Sequence, residues 1–359
     1  MKMLPPICTL LGLVLALTQN SMALVVPESD FLLAYPLSLA LGNDHVCTIS
    51  QRHNDEEIGG QAVCFGREDN SGKLQPPSVS TFVQVITGGD WACGLAVDQT
   101  VECWGAMDKN PVQGMFTQIV AATHWGCGIQ IDKQIKCFGA LPRFQPPKND
   151  IGFVQMDCSE EHCCALDTMG VPHCWGRFGT EAKHHTFMRP PRHLKVIDPG
   201  GESIEAVEED GYDDEEDLSS DLVQMKQISV GRQFSCGITL ENSDIQCWGS
   251  ESRFHHEGTP LIYPGPFKQL SVGNAGVCGL YGQVEASADG AGARSDSMAC
   301  WGPQAEAFAS QAPAPVGSQR WDQVCVHKLQ ICGVTMNSDL KCFGQGFKQG
   351  SVPEDLVVA

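Results

Sequence analysis

The sequence has 359 residues, a formal net charge of −20, 38 glycines and 18 cysteines. This acidity argues against a nucleic-acid partner, because binding to phosphates needs clustered Lys and Arg. Length alone suggests about two domains, but the repeats described below favour one closed unit. The many glycines and the low share of charged residues, 18%, indicate an all-β chain with many turns.

The first 23 residues predict a secretory signal peptide. Lys2 precedes an apolar run at 7–17, and Ser21 and Ala23 are the small residues that a signal peptidase reads. The run is shorter than the roughly 20 residues that cross a bilayer. We therefore expect a secreted protein, residues 24–359, with no membrane span; the alternative is an uncleaved anchor. Secretion places the cysteines in a compartment where disulfides persist.

A Cys-aromatic-Gly motif then recurs seven times along the chain. A second cysteine precedes each copy, ten residues upstream in four of the seven cases. An apolar residue lies two positions after each first cysteine, and another lies two positions before each second cysteine. This period of two predicts a hairpin of two strands. Cysteines that face each other across such a hairpin can form a disulfide. The predicted pairs are Cys47–Cys64, Cys93–Cys103, Cys127–Cys137, Cys164–Cys174, Cys236–Cys247, Cys278–Cys300 and Cys332–Cys342. Cys158, Cys163 and Cys325 are left over; Cys163 could compete with Cys164 or bridge Cys158.

A third strand is predicted upstream of each hairpin. A glutamine lies nine residues before the first cysteine in six units, followed each time by an apolar residue; Ser38 takes this place in the first unit. Units of three or four strands, repeated radially, form a β-propeller. The predicted fold is therefore an all-β, seven-bladed propeller with one disulfide in each blade.

The repeat also resembles a known family. Residues 88–105, GGDWACGLAVDQTVECWG, resemble the repeat of the regulator of chromosome condensation. The paired cysteines are similar to those in the extracellular domain of Crinkly-type plant receptor kinases. The resemblance spans residues 37–344 and implies a propeller that binds proteins. It implies neither kinase activity nor nucleotide exchange, since no kinase domain follows and the signal peptide conflicts with a nuclear role.

An acidic insert separates the fourth and fifth units, at about residues 197–222. Eleven of the residues between Glu202 and Asp221 are Asp or Glu. The composition predicts a disordered, solvated loop. The alternative is a weak Ca²⁺ site or a site for a cationic partner. The residues around Tyr212 resemble a tyrosine sulfation site.

Aromatic side chains two positions before the first cysteine are candidates for binding, namely Trp91, Trp125 and Phe234. Packing beneath the turn is the other interpretation of this position. No motif for a catalytic site, cofactor or metal is present. We expect a non-enzymatic module that binds a protein or a glycan through loops on one propeller face. A propeller hydrolase and a structural matrix component are the alternatives. Because strands alternate in direction, all turns between paired cysteines should lie on one face, including the long ones at 51–60 and 282–297.

Overall fold

The computed structural model describes residues 38–50, 59–67, 70–107, 111–140, 145–147, 151–176, 222–249, 261–274, 276–282, 296–301, 320–327, 330–344 and 356. The signal peptide, Tyr212, nearly all of the acidic insert and most of the two long turns lie outside this part of the chain. Their predictions stay predictions.

The described residues form 22 strands in seven antiparallel sheets, so the predicted all-β propeller is confirmed. Each sheet is one blade, in chain order. Blade 1 holds β1 (Leu39–Leu41), β2 (His45–Ser50) and β3 (Gln61–Gly66), and blade 2 holds β4 (Phe82–Thr87), β5 (Trp91–Ala96) and β6 (Val101–Gly105). Blade 3 holds β7 (Phe116–Ala121), β8 (Trp125–Gln130) and β9 (Ile135–Gly139), and blade 4 holds β10 (Phe153–Cys158), β11 (His162–Asp167) and β12 (Pro172–Gly176).

The remaining blades follow the same plan. Blade 5 holds β13 (Met225–Val230), β14 (Phe234–Thr239), β15 (Ile245–Gly249) and β16 (Leu261–Tyr263), and blade 6 holds β17 (Phe267–Val272), β18 (Val277–Tyr281) and β19 (Met298–Trp301). Blade 7 holds β20 (Trp321–His327), β21 (Gln330–Thr335) and β22 (Leu340–Gly344). In the described part of the chain, a fourth strand occurs in blade 5 alone.

All seven predicted disulfides form. Each pair of cysteines lies directly opposite in the register of the second and third strands, with Cα atoms 3.9–4.2 Å apart. An eighth bond joins Cys158 to Cys163, which is one of the two alternatives left open by the sequence. Cys325 is the free cysteine of the described residues.

The hydrophobic core is divided among the spaces between blades. Seven apolar clusters each join one blade to the next, and the last packs Leu39 and Val46 of blade 1 against Val334 and Leu340 of blade 7. The ring is thus closed by apolar contact between its first and last blades, and each blade is stabilised from both sides.

The glutamines of the first strands connect neighbouring blades. In blade 2, the Gln84 carboxamide donates to the Ile119 carbonyl at 2.8 Å and accepts from the Ile119 amide at 3.0 Å. Five junctions repeat this pair of bonds, at 2.7–3.3 Å, through Gln84, Gln118, Gln155, Gln227 and Gln269. At the closing junction, the Ser38 hydroxyl donates to Gln323 Oε1 at 3.0 Å. We call this two-bond contact the glutamine clamp.

A β-bulge precedes each clamp, and an aromatic residue precedes four of the five clamps. In blades 2–7 the register shifts at the residue just before the glutamine. Two residues before Gln84, the Phe82 ring is buried and packs on Trp104 of the Cys-Trp-Gly motif, with centroids 5.9 Å apart. Gly94 leaves room for this ring, because a Cβ there would lie 2.2 Å from it. A bulge can turn a side chain towards a new partner, and here it presents the glutamine to the next blade.

Breaking one clamp should destabilise the fold. Gln227→Met leaves the buried amide and carbonyl of Leu270 without these partners. We expect the free energy of unfolding to fall by about 2 kcal/mol or more, measured by guanidinium denaturation without reductant. Gln246→Met, in β15 of the same blade, is the matched control and should change stability by less than about 1 kcal/mol. Equal losses in both variants would contradict a special role for the clamp.

Candidate functional site

The two flat faces of the propeller differ in their turns. The mouth face carries the turns between first and second strands, such as 42–44 and 88–90. The hairpin face carries the turns between second and third strands, such as 97–100 and 131–134. The chain leaves β12 at the mouth face, since Gly176 lies opposite His162, and it enters β13 at the hairpin face, where Met225 lies opposite Thr239. The acidic insert lies between these two strands in the sequence.

The aromatic candidates are not on the surface. Trp91, Trp125 and Phe234 are 3%, 5% and 1% exposed. The Trp91 indole donates to the carbonyl of Thr123 at 2.8 Å, which ties the mouth turns of blades 2 and 3 together. The prediction that they bind a partner is therefore wrong, and the alternative, packing beneath the turn, is correct. Each ring fills the space between two blades. They are therefore not available to a partner.

A channel of about 400 Å³ runs along the propeller axis towards the mouth face. All seven blades line it with the residue two positions after the glutamine, or after Ser38 in blade 1. These residues are Ala40, Ile86, Val120, Asp157, Ser229, Ser271 and Cys325. Blades 1–3 thus supply an aliphatic arc, and blades 4–7 supply a polar arc.

The polar arc forms a second set of bonds between blades, which we call the polar girdle. Asp157 Oδ2 accepts from the amide of Val230 at 2.8 Å. In the same way, the Ser229 hydroxyl accepts from the amide of Val272, and the Ser271 hydroxyl accepts from the amide of Val326. These residues were missed in the sequence, although the position two after each glutamine could have shown them.

Asp157 carries the one charge of this arc. Its carboxylate also accepts from the Cys158 amide and the Ser229 hydroxyl, at 2.8 and 2.9 Å. Burial raises the pKa of Asp157 to about 6, and the three hydrogen bonds oppose the rise only in part. Among the described residues, no Lys, Arg or His side chain forms an ion pair with it. The charge at neutral pH is therefore not neutralised by a cation from this part of the chain.

A serine–histidine pair lies nearby but cannot reach a substrate. His162 Nε2 is 2.8 Å from Ser235 Oγ, a distance that suits a nucleophile and its base. Both side chains are fully buried, and burial lowers the pKa of His162 to about 4. The pair is therefore a neutral contact between blades 4 and 5, not a hydrolytic site.

Other buried charges are paired. Lys73 is fully buried, and its ammonium binds Asp44 at 2.8 Å and Asp90 at 3.1 Å, which joins the mouth turns of blades 1 and 2. On the hairpin face, the buried Asp296 binds Lys268 at 2.8 Å and also pairs with Arg320. The described residues contain no group of three or more His, Cys, Asp or Glu that could hold a metal.

The hairpin face displays aliphatic side chains. Of the six large hydrophobic residues that are exposed in the described structure, five lie on this face: Val79, Val97, Met115, Ile131 and Met336. Val97, Ile131 and Met336 occupy one repeated position, four residues after the first cysteine of blades 2, 3 and 7. They are 49%, 55% and 48% exposed, so three blades present an aliphatic side chain at the same position on this face.

Comparisons with solved structures agree with this architecture. The chain is similar to the Crinkly ectodomain of the Arabidopsis thaliana receptor kinase ACR4, with 20% identity, a TM-score of 0.58, and coverage of 88% of this chain and 98% of that chain. The ectodomain of the Physcomitrella patens receptor kinase CR4 gives 16% identity and a TM-score of 0.57, over 87% and 73% of the two chains. Prp20p of Saccharomyces cerevisiae gives 13% identity and a TM-score of 0.55, over 90% and 85%.

Prp20 is the yeast RCC1, the regulator of chromosome condensation. The resemblance to Crinkly and chromosome-condensation propellers that the repeats indicated is thus confirmed at the level of the fold. No family model and no curated protein matches the chain. In the part of the chain that the structure describes, no helix is long and apolar enough to cross a membrane.

The Cys325 thiol should be inert in the folded protein. Burial raises its pKa to about 12, and the Leu41 amide and the Ser271 hydroxyl lie within hydrogen-bonding reach of the sulfur. The thiol is therefore protonated at pH 8, and the thiolate is the reactive form. We expect iodoacetamide at pH 8 to leave Cys325 unmodified until guanidinium unfolds the chain. Cys325→Ser should retain native stability to within about 1 kcal/mol, since serine fills this position in two other blades. Rapid labelling of the folded protein would contradict this assignment.

Proposed function

We propose that this chain is a secreted, non-enzymatic propeller that binds a protein partner through its hairpin face. The observation that carries the proposal is the repeated exposure of Val97, Ile131 and Met336 on that face. Aliphatic side chains at the centre of an interface supply much of the binding energy when a partner excludes water from them. Exposed aliphatic side chains favour a protein over a glycan, whose hydroxyl groups require polar partners.

Secretion is supported by the eight disulfides, which persist in oxidising compartments. A binding function is also supported by the proteins with similar folds. Two of them are ectodomains of the receptor kinases ACR4 and CR4, and the third, Prp20p, binds Gsp1p and histones. The two long turns that the sequence places on the same face would enlarge its surface. The acidic insert precedes β13, which begins at this face, and we propose it as a weak Ca²⁺ site or a surface for a cationic partner.

Secretion can be tested directly. The full sequence, expressed in a eukaryotic secretory host, should appear in the medium with Leu24 as its first residue, because the predicted cleavage follows Ala23. N-terminal sequencing of the secreted chain measures this. Retention in the cell membrane with an intact leader would support the uncleaved anchor instead.

The binding face can be tested with two matched triple variants of the intact protein. Val97→Asp, Ile131→Asp and Met336→Asp together place three charges among the exposed aliphatic side chains of the hairpin face. His124→Ala, Glu160→Ala and Asn274→Ala change three exposed residues of the mouth face. Cross-linking in native extracellular fluid, with quantification by mass spectrometry, identifies partners of the unchanged protein. The first triple should weaken binding to the purified partner at least tenfold, because buried charges must lose their water, and the second should not.

Both triples should leave the melting temperature nearly unchanged, because the substituted side chains are exposed. Loss of binding in the mouth-face triple alone would show that the hairpin face is the wrong one. Enrichment of glycans on an array, with no cross-linked protein, would favour the glycan-binding alternative.

A further inference from the structure

We propose that the central channel is a binding site for a primary ammonium group on an aliphatic stem. Two sources share this chemistry, namely a free alkyl diamine and the lysine side chain of a protein. The site is separate from the hairpin face, and the proposal does not depend on the function proposed above.

The shape and the lining of the channel fit such a ligand. Its volume of about 400 Å³ lies within the range of small-molecule pockets. One wall carries Ala40, Ile86 and Val120, which can contact a methylene stem. The opposite wall carries Asp157, Ser229 and Ser271, which accept hydrogen bonds and attract a positive charge.

Asp157 supplies the charge that a cation would neutralise. It lines the channel and is partly exposed there, and among the described residues it has no cationic partner. Asp296 offers a contrast, since that buried carboxylate binds both Lys268 and Arg320. An unpaired carboxylate in a confined site is costly to ionise, and an entering cation offsets the cost. The raised pKa of Asp157, about 6, agrees with this geometry.

The hydrogen bonds of Asp157 favour an ammonium over a guanidinium. Oδ2 already accepts from Ser229 and Val230, and Oδ1 accepts from the Cys158 amide. Since a carboxylate has about four acceptor positions, one remains, on Oδ1. One acceptor suits the compact point charge of an ammonium group, whereas a guanidinium binds best to two oxygens side by side.

The other charged groups at the channel leave this site open to a cation. Glu160 and Arg232 line the mouth, and Arg232 Nε is directed to Glu161 at 3.5 Å. His327 lies 3.4 Å from the Asn43 carboxamide oxygen. The Cys325 thiol is neutral at physiological pH, because burial raises its pKa to about 12. The net charge of these groups does not oppose an ammonium ion.

Calorimetric titration of the full-length, disulfide-intact protein at pH 8 tests the proposal. The probes are cadaverine, Nα-acetyl-lysine N-methylamide and its uncharged analogue Nα-acetyl-norleucine N-methylamide. We expect at least one of the two amines to bind at least tenfold more tightly than the norleucine compound. Binding of cadaverine alone would assign the site to free amines, and binding of the capped lysine would assign it to a protein side chain.

Two variants separate the channel from the general acidity of the protein. Asp157→Asn should weaken amine binding at least tenfold. Glu241→Gln, which removes an exposed carboxylate from the hairpin turn of blade 5, should leave the affinity within about twofold. Equal affinities in the unchanged protein and Asp157→Asn would overturn the proposal. So would the absence of amine binding at millimolar concentrations.

The pH dependence provides a readout that does not rely on a variant. The ionised carboxylate binds the amine, so affinity should be full above pH 7 and decline as the pH falls through about 6. Near pH 6, binding should release a proton from Asp157, which is detected as a dependence of the measured heat on the buffer. Carbon-13 NMR of the Asp157 carboxyl should show its pKa lowered by the bound amine. An unchanged carboxyl titration with the amine at saturation would place the ligand elsewhere and overturn the assignment.

Discussion

The propeller depends on a hydrogen-bonded contact between a glutamine side chain and the backbone of the next blade. The innermost strand of each blade has one edge that faces no partner strand, and its amides and carbonyls must be satisfied in some other way. A carboxamide has the same donor and acceptor as a peptide group, so one glutamine can satisfy both groups of a single residue, as Gln84 does for Ile119. The contact also fixes how far apart neighbouring blades lie. Repetition around the ring therefore sets the radius of the channel.

The disulfides and the clamp stabilise different parts of the molecule. Each hairpin disulfide links two adjacent strands of one blade, and it acts mainly by restricting the unfolded chain. None of the eight joins one blade to another. Cohesion of the ring comes instead from the apolar clusters between blades, from the clamp and from the polar girdle. The girdle is incomplete, because blades 1–3 place Ala40, Ile86 and Val120 where the others place polar groups. This asymmetry produces a channel with one aliphatic wall and one polar wall.

The sequence predicted the fold well because its signals are local and repeated. A period of two, paired cysteines ten residues apart and a glutamine at a fixed distance each reflect geometry within one blade. Contacts between blades were harder to predict from the sequence, since the partner of Gln227 lies 43 residues away and no local pattern identifies it. Trp91, Trp125 and Phe234 show the same difficulty: an aromatic residue beside a turn fits an exposed site and a buried one equally well. Asp157 was missed because its importance depends on the channel, which exists only when the ring is closed.

The two faces of the propeller are free to change to different degrees. On the mouth face, turns contact one another across blade boundaries, through the Trp91 indole and through Lys73 between Asp44 and Asp90. A longer turn there would disturb its neighbours and the channel beneath. On the hairpin face, the disulfide at the base of each turn holds the two strands in register whatever lies beyond them. The paired cysteines can therefore be separated by 10, 17 or 22 residues while their Cα atoms stay 4.0–4.2 Å apart. Variation in turn length is thus accommodated at the hairpin face, whereas the channel is held by contacts that leave its shape little freedom.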